Sequence, residues 1–388
     1  MKSFRKLKLD CDQRVLLIVV FITVIGASIV ASSSSYFSAA KFSDAYFLLK
    51  RHMVRILVAA LFLVLALNID YRFYRRFSPF ALALGVCLLA GLFIYGYAIR
   101  DSVRWYHVKF FRMTLQPSEF ARLALVVFLA YWINRKGKEF REFRSGFLPA
   151  AIAIVSVVAL MAAQPNYGTA AATALIAVVV LFLGGARLLH LAGLVIAAGG
   201  AAAIKVWSEP YIQQRVAAFL NRGENLDAAN WQVHQSLIAL GSGGVFGAGF
   251  GGSRQKLSWL PDSHTDFIFS ILGEEAGLIG TVLVSLLFLL LVLRALKISR
   301  QCGDTFGEVL AAGLGCSIFI YATLNMAVAT GVLPVTGLPL PFVSYGGSAL
   351  VVNAVSAGIL LNVSKRRVGK TRRRGPRLGQ RLAREGRI

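Results

Sequence analysis

Long apolar runs separated by short polar connections dominate this chain. Read in windows of about 19 residues, the pattern predicts helices over 15–33, 53–69, 79–99, 118–134, 146–163, 168–185, 187–207, 266–298, 308–333 and 343–363. Runs of that length match the ~17–25 residues a helix needs to cross a bilayer. The pattern therefore predicts an all-α polytopic membrane protein with ten transmembrane helices. One connection breaks the rule of short loops: residues 208–265, between helices 7 and 8. A loop that long is usually functional. Its apolar stretches Tyr211–Leu220 and Trp231–Leu240 predict short helices lying at the membrane surface.

Composition agrees with the pattern. Hydrophobic residues make up 57% and charged residues 15%, against about 45–50% and about 25% in soluble domains. Disorder, collagen and a small disulfide scaffold are excluded. The net charge of +24 would suggest nucleic acid in a soluble protein, but its distribution says otherwise. One alternating set of loops and ends carries 28 Lys and Arg and the other carries 13, with Arg122 inside a span. The positive-inside rule then makes both termini cytoplasmic. Three segments follow: a basic cytoplasmic N-terminus (1–14), a membrane domain (15–363) and a basic cytoplasmic tail (364–388). The first apolar run is read as a retained helix, since no small-residue cleavage site follows it. The tail has eleven basic residues and one acid from residue 365 onward. It reads as a solvated anchor attracted to anionic membrane lipids, with docking to a cytoplasmic partner as the alternative. Without interleaved aromatics it predicts no nucleic-acid partner. None of the four cysteines falls in an external loop, so no disulfide is expected.

Ionisable residues near apolar spans are functional candidates. The richest group, SWLPDSHTDFIFSILGEEAGLIG (258–280), holds Asp262, His264, Asp266, Glu274 and Glu275. On a helix, Glu274 lies about 80° around from Asp266 and Glu275 about 180° away, so Asp266 and Glu274 could approach one polar cavity. Asp266 could be a partly desolvated carboxylate that accepts a proton from a sugar hydroxyl. Equally, Thr265 or Asp266 could be a helix N-cap, with acids favoured there by the dipole. Asp262 and Asp266 are the candidate metal ligands, and a set that adds His264 lacks a diagnostic spacing.

Three further segments carry polar chemistry. GSGGVFGAGFGG (241–252) contains G-x-G-x-x-G, but it lacks the βαβ context a dinucleotide fingerprint needs. Arg254 and Lys256 follow; they could meet a phosphate or be ordinary loop charges. RWYHVKFFRMTLQPSEFARLA (104–124) places a basic aromatic loop before the fourth helix, with Glu119 and Arg122 spaced to pair. The pair is either structural or presents Arg122 to an anionic headgroup. GVLPVTGLPLPFVSYGGSALVVNA (331–354) predicts a re-entrant or tightly folded external loop, because non-helical backbone at membrane depth must be buried or line a cavity.

Together these segments resemble the SEDS family (shape, elongation, division and sporulation), which includes FtsW, RodA and SpoVE. The matching blocks are Arg104-Trp105, QPSEFARLA (116–124), QPNYGTA (164–170), QSLIALGSGG (235–244), QKLSWLPDSHTDFIFSILGEEAGLIG (255–280) and TGLPLPFVSYGGS (336–348), in family order. Gly273-Glu274-Glu275 and the Thr-Gly-Leu-Pro-Leu-Pro wording look more like the FtsW branch than the RodA branch, which remains the alternative.

The resemblance implies the SEDS fold and a peptidoglycan glycosyltransferase. Such an enzyme polymerises lipid II at the outer face of the bacterial cytoplasmic membrane, with inversion and release of undecaprenyl pyrophosphate. The family's essential Asp in the His-Thr-Asp block maps onto Asp266, making it the catalytic candidate. Arg104, Trp105, Glu119, Arg122, Lys256, Asp262, His264, Glu274 and Ser344 are the candidate substrate-binding residues. The expected partners are lipid II, the growing glycan strand and a class B penicillin-binding protein, with Mg or Mn a candidate divalent cation. Asn166 stands where many members carry Asp, Asn221-Arg222 replaces a common Asn-Pro or Asp-Pro, and Ala349 replaces a common Ser. A lipid II flippase and a non-catalytic scaffold for a transpeptidase are the rival functions.

Overall fold

The computed structural model describes residues 11–99, 102–108, 113–220 and 228–365. The basic N-terminus up to residue 10, the Asn221-Arg222 departure and the basic tail from residue 366 lie outside the described residues. In chain order the elements are α1 (Gln13–Phe42), α2 (Phe47–Asn68), α3 (Tyr71–Tyr95), β1 (Tyr97–Ile99), β2 (Ser102–Val108) and β3 (Met113–Leu115). Then follow α4 (Pro117–Lys136), α5 (Leu148–Ala163), α6 (Tyr167–Leu183), α7 (Leu188–Ser208), α8 (Pro210–Leu220), α9 (Ala228–Gly243), α10 (Ile268–Arg300), α11 (Thr305–Ala329) and α12 (Gly347–Lys365).

Each expected span falls on one of these helices. Among the described residues, seven helices are long and apolar enough to cross a membrane: α1, α3, α5 with the turn before it, α7, α10, α11 and α12. The expectation of ten thus stands at seven by that measure. Of the other three, α6 is apolar but has only 17 residues. Helix α2 carries Lys50, Arg51 and Arg55, and α4 carries Glu119 and Arg122 within its length. The long loop contains α8 and α9 where short helices are expected. The segment before α4, expected as a loop, instead forms a small antiparallel sheet in the order β1-β2-β3. Alternating Val103, Trp105 and the β-branched and aromatic residues around them suit a pleated ribbon, and its register pairs Tyr97 with Trp105 and Tyr106 with Leu115.

Small residues set the helix packing, as membrane bundles require when lipid offers no hydrophobic gain for association. Helices α2 and α12 touch at Gly358, where an added Cβ would stand 2.5 Å from the Leu63 carbonyl oxygen. Gly315 of α11 meets Ala295 of α10 in the same way. Helix α1 crosses the 331–346 segment at Gly26, where a Cβ would lie 2.6 Å from the Val343 Cα. Large apolar side chains that remain exposed, such as Leu57, Leu61, Ile196 and Leu290, lie on helix surfaces and form the lipid-facing coat.

At the end of the bundle opposite the long loop, Asp12 caps α1 by accepting from the Arg14 N–H and pairs with Arg294 of α10 at 2.5 Å. Its own N–H donates to Ser364 of α12 at 2.8 Å. Chain start, α10 and the end of α12 are thereby tied together. The four cysteines are free thiols.

Candidate active site

The functional candidates gather at the end of the bundle that carries the long loop. Two coiled segments meet there, residues 253–267 before α10 and residues 331–346 before α12. Helix α10 does not begin at Thr265 or Asp266; it starts at Ile268, and its N-cap position, Phe267, makes no side-chain cap. The expected N-cap is therefore corrected. The physical reason is Asp262, which takes a positive φ of 55°. Its carbonyl accepts the N–H groups of Thr265, Asp266 and Phe267 at 3.0, 3.1 and 3.3 Å. That tight coil delays the helix, so that Asp266 lies in the coil before its start.

The 331–346 segment clasps the coil from the other side. Tyr345 N–H donates to the His264 carbonyl at 3.0 Å, and the Ser344 hydroxyl donates to the Thr265 carbonyl at 2.5 Å. The amide of Asn325, on α11, donates to both the Asp266 and the Leu338 carbonyls at 2.7 Å. His264, Thr265 and Asp266 are thus held by backbone bonds on consecutive residues. Gly337, at φ 70°, stands against the Asp266 carboxylate: a Cβ there would lie 3.6 Å from Oδ2. The His264 ring packs 5.4 Å from Phe37 of α1 and 5.8 Å from Tyr345. Ser344 therefore acts as a strut beneath the site.

Glu274, expected to share a cavity with Asp266, and Glu275, expected on the opposite face, each bind a different part of the loop before α10. Glu274 turns toward the 253–255 turn, accepting from the Ser253 hydroxyl, from Arg254 N–H at 2.8 Å and from Gln255 N–H at 3.3 Å. Glu275 takes the buried Lys256 ammonium at 3.2 Å and the Ser32 hydroxyl. Lys256 also donates to Ser32 at 2.8 Å and to the Gly251 carbonyl at 2.7 Å. Its charge is thus committed inside the protein, pinning the loop before the site onto α1 and α10.

Arg122 and Glu119 form an ion pair of 2.6 Å that is almost wholly buried. The guanidinium also donates to Ser317 at 2.6 Å and Asn353 at 3.4 Å, and it lies 4.0 Å over the Tyr321 ring. The i, i+3 spacing foresees the pairing, and the contacts to Ser317 and Asn353 join α4 to α11 and α12. Arg104, on β2, donates to the Pro165 carbonyl in the turn before α6. Next along that turn, a Cβ on Gly168 would strike Thr336 beside Gly337, so the Arg104 strand reaches the Asp266 region through the 164–168 turn. Trp105 is half-buried in the same strand. Its neighbour Tyr106 donates to the Leu88 carbonyl at 2.9 Å, and burial pushes that phenol above its ordinary value.

Sequence reasoning missed two residues here, Arg55 and Tyr345. The Arg55 guanidinium lies 4.2 Å over the Tyr345 ring. The available signal was a lone arginine at the third residue of the second apolar run, 53–69. Among the described residues no group of three or more His, Cys, Asp or Glu side chains could hold a metal.

A many-helix membrane bundle with a carboxylate clasped between two coiled segments at one end defines an integral membrane protein with a polar site at its rim. A family model described as "Cell cycle protein" (FtsW, RodA, SpoVE) matches residues 13–368, and the chain belongs to that family. A probable peptidoglycan glycosyltransferase FtsW of Trichlorobacter lovleyi is 38% identical over 92% of this chain and 93% of its own length. Stage V sporulation protein E of Bacillus subtilis is 37% identical over 92% and 98%. Among solved structures, a chain described under "Structural coordination of polymerization and crosslinking by a peptidoglycan synthase complex" matches with TM-score 0.76 and 26% identity, over 93% of this chain and 99% of that one. The rod shape determining protein RodA of Thermus thermophilus matches with TM-score 0.68 and 25% identity, over 93% and 98%. The helical architecture is therefore the SEDS fold.

Proposed function

We propose that this protein is a peptidoglycan glycosyltransferase of the division type, polymerising lipid II at the outer face of the cytoplasmic membrane. The observation that carries the reading is the placement of the Asp266 carboxylate, in the coil before α10 and against bare Gly337, with backbone clasps on its neighbours. Relatives named FtsW at 37–38% identity over almost the whole chain support the division-type assignment.

Asp266 serves as the general base. It takes the proton of the acceptor sugar 4-hydroxyl as that oxygen attacks the donor anomeric carbon. The bond from that carbon to the diphosphate breaks, its electron pair leaves with undecaprenyl diphosphate, and the configuration inverts. One carboxylate suffices, because direct displacement needs no second one as nucleophile. Asp262 and Asp266 match the one-or-two-carboxylate mode in which Mg²⁺ or Mn²⁺ is held together with substrate phosphates, and such a cation would supply charge neutralisation. Both termini face the cytoplasm, and a class B penicillin-binding protein is the partner, in keeping with the synthase complex among the structural neighbours.

The test is glycan polymerisation from lipid II by the purified protein with its transpeptidase partner. Asp266→Asn should lower the rate about 10²–10⁴-fold while folding and complex formation persist. An undiminished rate in the variant would remove Asp266 from the mechanism. Absence of polymer from wild type in an intact complex would transfer the assignment to a flippase or scaffold.

A further inference from the structure

Arg55 lies two turns into α2, within the otherwise apolar stretch VRILVAAL. Its guanidinium stacks on Tyr345 at 4.2 Å and stands over the first residue of α12. A Cβ on Gly347 would lie 3.3 Å from Nε and 3.6 Å from Cζ. The opening turn of a helix presents N–H groups without helical acceptors and the positive end of the helix dipole. A guanidinium and a positive helix end repel each other, and an anion lying beside both offsets that repulsion. Among the described residues no carboxylate acts on Arg55, whose side-chain hydrogen bond is to the neutral Tyr345.

A second feature points the same way. His52, one turn earlier on the same side of α2, is completely buried. Its ring lies 5.6 Å from Tyr345, and neither ring nitrogen has a hydrogen-bond partner. Donors from α2 and α12 thus converge beside Tyr345, whose hydroxyl is the neutral side-chain partner of Arg55, and among the described residues no carboxylate offsets the guanidinium charge there. Tyr345 in turn is bonded through its N–H to the His264 carbonyl, two residues from Asp266.

We propose that Arg55, His52 and the first turn of α12 form an anion subsite that takes the diphosphate of the polyprenyl-linked donor. This deepens the function proposed above and rests on it. The chemistry suits the leaving group. As the acceptor oxygen bonds to the anomeric carbon, its proton passes to Asp266 and the carbon–oxygen bond to the diphosphate breaks. The departing electron pair adds charge to the diphosphate, where Arg55 and the α12 N–H groups stabilise it.

The test uses the full chain in phosphatidylcholine nanodiscs and measures Kd for undecaprenyl diphosphate, with uncharged undecaprenol as control. Arg55→Gln should weaken diphosphate binding about 10-fold or more and leave undecaprenol unaffected, while Arg55→Lys retains most of the affinity. Gly347→Ala, which crowds the guanidinium by a few tenths of an ångström without removing charge, should weaken binding in the same direction; it is the second variant should Arg55→Gln fail to fold. Inorganic pyrophosphate should displace the bound lipid. Equal displacement by phosphatidylglycerol would overturn the diphosphate assignment in favour of a general lipid-headgroup site. Unchanged affinity in Arg55→Gln would overturn the subsite. Polymerisation measured on the same samples separates the two readings. Arg55-dependent diphosphate binding without polymer from wild type leaves the subsite standing and removes the glycosyltransferase. Polymer with Arg55-independent binding does the reverse.

Discussion

Replacing Gly277 by Ala should cost more than almost any other single methyl in this protein. Helix α10 breaks there, with Gly277 at φ 66° and ψ −163°, a region open essentially to glycine and worth about 1–3 kcal/mol of strain for other residues. The break is stitched to the loop after α9 by backbone bonds. Ala248 and Gly249 N–H donate to the Glu274 and Glu275 carbonyls at 2.9 and 3.1 Å, and Leu278 and Ile279 N–H donate to Gly244 and Val245 at 2.9 and 3.3 Å. A Cβ on Gly277 would sit 2.5 Å from the Val245 carbonyl oxygen and 2.7 Å from its carbon. Those are backbone atoms, so relief requires the loop to retreat and stretch these four bonds, each worth about 0.5–1.5 kcal/mol net. With the strain added, the expected loss is about 3–9 kcal/mol, or else a folded protein with the 244–249 loop detached. Thermal unfolding in detergent and amide exchange over 244–249 distinguish the two forms of damage, and both predict lost protection. Gly241, which has open space around its Cβ position, provides the contrast, and its Ala variant should be neutral or slightly stabilising. A Gly277→Ala protein with wild-type melting and wild-type exchange would refute the reasoning.

Two further perturbations follow from the buried charges. Lys256→Met strands Glu275 without its cation and should cost about 3–5 kcal/mol; adding Glu275→Gln should restore part of that, and a thermodynamic cycle showing no coupling would deny the pair its pinning role. Arg122→Met should destabilise by a similar about 3–5 kcal/mol through the stranded Glu119, read as a lower melting temperature, and retained stability would mean that Glu119 is neutral in the folded protein.

Much of the site was legible before any coordinates, because its residue types are costly in an apolar setting. The Asp262–Asp266 cluster, the Glu119/Arg122 spacing and the glycine-rich and proline-rich stretches all stand out against the spans. What was not legible is direction. Lys256 and Glu274 read as substrate contacts or cavity acids, yet one pairs inward with Glu275 and the other binds the 253–255 turn. Spacing on an ideal helix could not relate Glu274 to Asp266, because α10 begins only at Ile268 and Asp266 lies in the coil before it. The strands β1 to β3 were hidden for a related reason: short ribbons with one half-buried face carry little hydrophobic signal.

By itself the sequence determined the solvent this chain lives in, the positions of its long apolar helices and the few polar residues that needed a reason to be there. Those are local properties, set by hydropathy over about 20 residues and the cost of isolated charge in lipid. Tertiary structure alone decided which charges are spent on holding loops and which remain for a ligand. It joined the 253–267 and 331–346 segments around Asp266, tied Arg104 to the turn before α6, and brought Arg55 over the start of α12. These residues are distant in sequence, and only helix packing through small residues places them together.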